Sequence, residues 1–514
     1  MLVLVTGLVL TVAASRVTGP TFDEERRLAA VRRATELVRA VGDFGPSALG
    51  SSSAEAIYEE LAPFGALPAV LSGWFGEVLG AAHLLDRLVA ARLGWLLLTG
   101  VAPAAVYFIV VRSHGPRVAA LSACLLLAIP RWLHAAAAAR EPAVVASIWL
   151  IVLAFYVQSI PPALRARRLG ANRRFRGAAF AFAVAIGLGL SVTFATLWIV
   201  PLIVVHSLIA RPRGLRGSVR QGLLPLPVGL LLMIVVSPVT MVAATPSIWQ
   251  GGGAHAAEWF LSPLAPTIEP LLYRGGPVVS PRDVPGGYAL RWLVATTPAL
   301  VLALAFLGAG VVAAEFWAAR RRRRSDDVGL GLLLLLSTAA IVFGPALTPV
   351  VLTRFPPRVE AVLPFVAIAA AITVERAARR GLGESRSLFA VLAAGVVFVA
   401  YGLVGVQTAS AAFGLFGGGT LRAVSGRMWT VGDGSEVAVL AASIDRLGMP
   451  RLAVDAPEVP RSYWSVLERA GRLATRVEPG HGGALTVGIS RGAARNALGT
   501  VSRDGAVLWS LTRR

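Results

Sequence analysis

The chain has 514 residues, 56% of them hydrophobic and only 15% charged, with a mean hydropathy of +0.69. A water-soluble chain of ordinary composition carries about a quarter charged residues, so an aqueous fold is excluded for most of this one. The net charge of +21 does not mark a nucleic-acid binder, because the basic residues cluster in short segments beside apolar runs instead of lining one soluble domain.

A transmembrane helix needs roughly 20 apolar residues, with a range of about 17–25. In chain order the candidate spans are about 1–15, 88–111, 117–133, 143–159, 177–191, 195–210, 222–244, 292–318, 329–350, 361–374 and 388–408, eleven in all. The first is short, lacks a positively charged start and runs straight into acidic sequence, so it reads as a retained span and not as a signal peptide. The apolar stretch 177–210 is too long for one span and has arginine-rich flanks at both ends, so it is expected to divide into a tight hairpin.

Three stretches lie outside these spans. The loop 16–87 mixes charge with apolar residues at helical spacing: Leu28, Val31, Leu37 and Val38 sit among Arg26, Arg27, Arg32 and Arg33. That pattern predicts helices lying on a membrane surface. The loop 245–291 is rich in glycine and proline and carries Trp249 and Trp259. The tail from about 409 to 514 has a helix-like segment Ser435–Leu447, short apolar strands near Leu452–Val454 and Leu485–Ile489, and a hairpin signal at Ser502-Arg503-Asp504-Gly505. It is expected to form a small α/β domain.

Arginine placement predicts the orientation. With the N-terminus in the cytoplasm, the inner loops hold 21 arginines, among them the run Arg320–Arg324, and the outer loops between later spans hold 6. All three non-membrane stretches then lie outside. The chain contains no lysine and only two asparagines, Asn172 and Asn496, a bias toward GC-rich codons, so a single arginine carries less meaning than usual. The lone Cys124 allows no internal disulfide, and the six histidines lack the spacing of a metal site.

Three constellations carry possible chemistry, all on the predicted outer side. Asp23 and Glu24 follow Phe22 just beyond the first span. A carboxylate there can deprotonate an acceptor hydroxyl beside a lipid-held sugar donor; equally, acids at this point start a helix favourably. Glu141 ends the short outer loop that begins Pro130-Arg131-Trp132. Such a charge is either functional or paired with Arg140 or Arg131. Arg354 and Arg358 flank Pro356-Pro357 before the tenth span; their guanidinium forks suit a lipid phosphate, or anchor the chain at the interface. Trp249, Trp259, Tyr273 and Tyr288 read as interface-belt residues.

Together these segments resemble the GT-C class of membrane glycosyltransferases, in particular the protein O-mannosyltransferase and aminoarabinose lipid A transferase group. The likeness rests on Pro20-Thr21-Phe22-Asp23-Glu24, on Ala128-Ile129-Pro130-Arg131-Trp132 with Glu141 leading into Trp149, and on Arg354-Phe355-Pro356-Pro357-Arg358 with Leu363-Pro364-Phe365. The tail around Gly417-Gly418-Gly419 and Met428-Trp429 adds to it. The resemblance implies a mainly α, polytopic GT-C-like membrane domain over 1–408 and an extracytoplasmic α/β domain over 409–514. It implies inverting transfer of a sugar from a polyprenyl-phosphate donor to a lipid, glycan or protein acceptor at the outer face of a bacterial cytoplasmic membrane. Asp23 would be the base, Glu24 its neighbour, Glu141 the second acid, and Arg131, Arg354 and Arg358 the lipid-phosphate ligands. A divalent metal is compatible with this set and not required by it.

Two departures stand out. Glu141 occupies a place where the family usually has aspartate. The first-loop stretch Glu60-Leu61-Ala62-Pro63-Phe64-Gly65-Ala66 lacks the histidine and the basic residue that active relatives carry there. The alternative is therefore a non-catalytic relative that binds a polyprenyl lipid or a partner protein. A transporter is disfavoured, since the sequence shows no internal duplication.

Overall fold

A computed structural model describes residues 1–18, 24–44, 67–81, 87–159, 172–209, 228–245, 297–321 and 359–381, together with short segments between 271 and 294 and between 441 and 513 and a few isolated positions. The described part is mostly helical. α1 spans Leu2–Val17, α2 Glu24–Phe44, α3 Leu67–Ala81, α4 Arg87–Ala128, α5 Pro130–Ala137 and α6 Glu141–Ser159. Further on lie α7 (Asn172–Val192), a 3-10 turn (Phe194–Trp198), α8 (Ile199–Ile209), α9 (Val228–Ala244) and α10 (Ala299–Arg321). A 3-10 turn, Val359–Val362, leads into α11 over residues 363–381. Among the described residues three helices, Arg87–Ala128, Pro142–Ser159 and Ala299–Ala318, are long and apolar enough to cross a membrane; the shorter apolar helices are Leu2–Arg16, Gly177–Val192, Thr196–Ser207 and Leu230–Ala244. The spans expected at 329–350 and 388–408 lie outside the described residues apart from single positions.

Where expected spans stop, the cause is local. α4 is two arms joined at Gly115, whose φ of +82° takes the backbone out of the helical region; glycine reaches that conformation without a Cβ clash. The second arm was expected to run to residue 133 but ends at Ala128. Pro130 lacks an N–H, and its ring pushes Ile129 into the extended region (φ −77°, ψ 106°). Proline then suits the first turn of a new helix, so the stretch expected as an outer loop is the buried helix α5. The long run 177–210 likewise breaks at Thr193, between α7 and the 3-10 turn.

The core is centred on α4 and α6. α4 packs against α1, α3, α5 and α6, α6 against α7, and α7 against α9. At one end of the bundle Arg112 donates to the carbonyl of Val157, and Gln158 Nε2 donates to the carbonyl of Phe108 at 3.1 Å, fastening α4 to α6. At the same end Arg376 pairs with Glu315, which lies 3.9 Å from His114 Nε2. The outward faces of α9 and α10 present Ile234, Val235, Val239, Phe306 and Leu307, as a hydrocarbon surround would favour.

In the tail, strands β3 (Arg451–Asp455), β4 (Arg476–Glu478), β5 (Thr486–Arg491), β6 (Ala497–Arg503) and β7 (Ala506–Arg513) form one sheet in the order β4-β3-β5-β7-β6. β3 is parallel to β4 and β5, while β7 runs antiparallel to β5 and β6. The two-residue strands β1 (Leu271–Leu272) and β2 (Val278–Val279) pair in the loop 245–291. Val466 of the tail is fully buried against Leu88 at the start of α4, with Leu28 of α2 packed beside them.

Candidate active site

The site is assembled at the opposite end of the bundle, where α1 ends and α2, α4 and α6 begin. Its scaffold is the turn between α5 and α6. Arg140 N–H donates to Ala135 O at 2.9 Å and Ala139 N–H to Ala136 O at 3.1 Å. These two bonds close the helix end and hold Ala139 at φ +52°, the left-handed position at which a helix C-terminus usually has glycine. Arg140 O then accepts from Ala143 and Val144 N–H, both at 3.1 Å, and starts α6. Glu141 is thereby the first residue of α6, where the helix dipole favours a carboxylate.

Buried polar groups surround this turn. Thr99 Oγ1 donates to Ala136 O at 3.1 Å. Arg27 Nη1 donates to Ala138 O at 3.2 Å, and its guanidinium carbon lies 5.7 Å from the centroid of the Trp95 ring. Arg27 thus sits at the negative end of the α5 dipole, where a cation is stabilised. Arg92 is fully buried, and its Nη1 reaches Ser15 Oγ and Thr18 O, each at 3.4 Å, tying the end of α1 to α4.

The predicted site residues distribute as follows. Glu24 opens α2, one turn ahead of Arg27, and the bond from Arg27 to Ala138 ties that first turn of α2 to the turn preceding Glu141. Arg131 is buried in α5 at 2% exposure and does not lie in an open loop. The 3-10 turn Val359–Val362, which begins one residue after Arg358, packs against α5 and α6. Asp23, Arg354 and Arg358 themselves lie outside the described residues, as does the stretch 60–66. Among the described residues no group of three or more His, Cys, Asp and Glu side chains is placed to hold a metal.

A helix on the membrane surface was expected over this stretch, and in the structure its Arg27 faces inward. Arg27 is 7% exposed, on the same stripe as the buried Ala30, Val31 and Ala34. The signal was present: positions 27, 30, 31 and 34 follow the i, i+3, i+4, i+7 rule of a single helix face. Arg92 carries a signal of the same kind, since a charge inside an apolar run marks a buried partner or a function.

This helical arrangement shares its fold with a solved structure at low sequence identity. The structure matches that of ArnT from Cupriavidus metallidurans in the apo state with a TM-score of 0.50 and 17% identity, over 99% of this chain and 97% of that one. ArnT from the same organism bound to undecaprenyl phosphate aligns at 0.49 and 16%, with the same coverage. The Archaeoglobus fulgidus oligosaccharyltransferase in the apo form aligns at 0.48 and 12%, over 93% of this chain and 64% of that one. No protein-family model and no curated protein sequence matches the chain.

Proposed function

We propose that this protein transfers a sugar from a polyprenyl-phosphate-linked donor to an acceptor hydroxyl at the outer face of the cytoplasmic membrane. The observation that supports the reading is the bond from Arg27 to Ala138 O, which ties the first turn of α2, where Glu24 stands next to Asp23 in sequence, to the turn before Glu141. The packing of Val359–Val362 on α5 and α6 supports assigning the adjoining Arg354 and Arg358 to the same site.

In this mechanism the Asp23 carboxylate takes the proton of the acceptor hydroxyl, whose oxygen attacks the anomeric carbon from the face opposite the leaving group. The bond between that carbon and the phosphate oxygen breaks, the configuration inverts, and polyprenyl phosphate departs with the electron pair. Arg131, Arg354 and Arg358 stabilise the charge that develops on the phosphate. Glu24 and Glu141 orient the acceptor. The tail domain and the loops 16–87 and 245–291 lie on the same outer side.

The test is transfer by the purified protein in proteoliposomes, with a panel of radiolabelled polyprenyl-phosphate monosaccharides and lipid, glycan and peptide acceptors. Asp23→Asn is expected to reduce transfer by about 10²–10⁴-fold, the usual contribution of a positioned general base, with the protein still folded. Undiminished transfer by Asp23→Asn refutes the mechanism. The stretch Glu60–Ala66, which has no basic residue, supports a second reading as a non-catalytic lipid-binding relative. Binding of a polyprenyl phosphate without sugar release from any donor selects it.

A further inference from the structure

We infer that Arg27 is a positioning residue that sets the spacing between the two acidic segments by pinning the first turn of α2 to the turn before Glu141. The catalytic consequence rests on the proposed function; the pinning itself does not. Residues 27 and 138 are 111 positions apart, while α2 itself packs chiefly on α3 and to a lesser extent on α4 among the described residues.

Three features make this contact more than a surface contact. First, Arg27 is 7% exposed and Trp95 4%. A guanidinium withdrawn from water to that degree is strongly destabilising unless every contact compensates it. Second, its acceptor is the last carbonyl of a capped helix, so charge, dipole and hydrogen bond act along one line. Third, the ring of Trp95 covers its face at 5.7 Å. A planar, delocalised cation can lie over a ring and donate in its own plane at once; a lysine ammonium offers a point charge that satisfies one demand or the other. The turn it grips is rigid, with Ala139 locked at φ +52° between two backbone bonds. Movement at this junction therefore falls on α2, the helix that Glu24 opens, with Asp23 immediately before it.

The experiment is amide hydrogen exchange of the full chain in lipid nanodiscs, with kinetics on the same preparations using whichever radiolabelled polyprenyl-phosphate sugar the wild type consumes. Arg27→Met is expected to speed exchange over residues 24–34 at least about tenfold, the loss of one charge-assisted bond, while residues 299–321 stay as in the wild type. Arg27→Lys is expected to fall between the two. Because the acids are displaced and the donor's phosphate ligands are not, kcat should fall while KM for the donor stays within about twofold.

Exchange over 24–34 in Arg27→Met within about twofold of wild type overturns the pinning. Faster exchange with unchanged kcat overturns the positioning role. If Arg27→Met also loosens 299–321, Arg27→Lys decides by the same two criteria. A wild type inert toward every donor refutes the proposed function alone, and the exchange result then decides the pinning by itself.

Discussion

Gly308 and Gly310 stand two residues apart in α10 and should respond to the same substitution with opposite sign. A Cβ on Gly308 would lie 1.9 Å from Ala369 O and 2.5 Å from the Ala369 carbonyl carbon, whereas one on Gly310 would meet nothing within 4 Å. The shortest ordinary carbon–oxygen contact is about 3.3 Å, so α11 must retreat by about 1.4 Å to admit the methyl group. Backbone on both sides leaves no flexible side chain to absorb it. The retreat would also stretch the bond from Thr373 Oγ1 to Leu304 O, now 2.8 Å, beyond its working range. Overpacking costs about 1–3 kcal/mol and the hydrogen bond about 1 kcal/mol, against a gain of about 1 kcal/mol for replacing a helical glycine with alanine. Gly308→Ala should therefore be destabilised by about 1–3 kcal/mol, while Gly310→Ala keeps the propensity gain alone. Reversible unfolding by SDS titration in mixed micelles, followed by tryptophan fluorescence, measures both. Equal stability of the two variants to within about 0.5 kcal/mol would refute the close approach of α10 and α11. Since α11 continues the turn that packs on α5 and α6, Gly308→Ala should also depress sugar transfer.

Ala139→Val places a β-branched side chain at positive φ in a fully buried turn. It should cost about 2–4 kcal/mol by the same titration and displace Glu141. Ala139→Gly should lie within about 1 kcal/mol of wild type, because relief of the left-handed strain offsets the lost methyl burial and the added chain entropy. Val466→Asp buries a charge against Leu88 and Leu28 and should release the tail. Limited proteolysis in nanodiscs would show faster cleavage after the arginines between 451 and 476, and an unchanged digestion pattern would refute the docking.

The apolar helices were legible because hydropathy and helix periodicity are local properties. The runs near 1–15, 143–159 and 177–191 lie within α1, α6 and α7, and the runs near 452–454 and 485–489 overlap β3 and β5. The helix breaks at Gly115 and Pro130 follow from the residues standing there. The acidic segments were equally visible, since charge beside an apolar run needs no knowledge of neighbours. What the chain alone did not decide is which stripe of each helix meets which partner. Arg27 was one of four arginines in an expected surface helix, and only tertiary packing turned it inward, because Ala138 O and the Trp95 ring, distant in sequence, together replace the water it gives up. The meeting of Val466 with Leu88 is of the same kind. Local pattern settles what a segment is; a buried charge or an apolar side chain finds its place only when remote segments supply the contacts that compensate its desolvation.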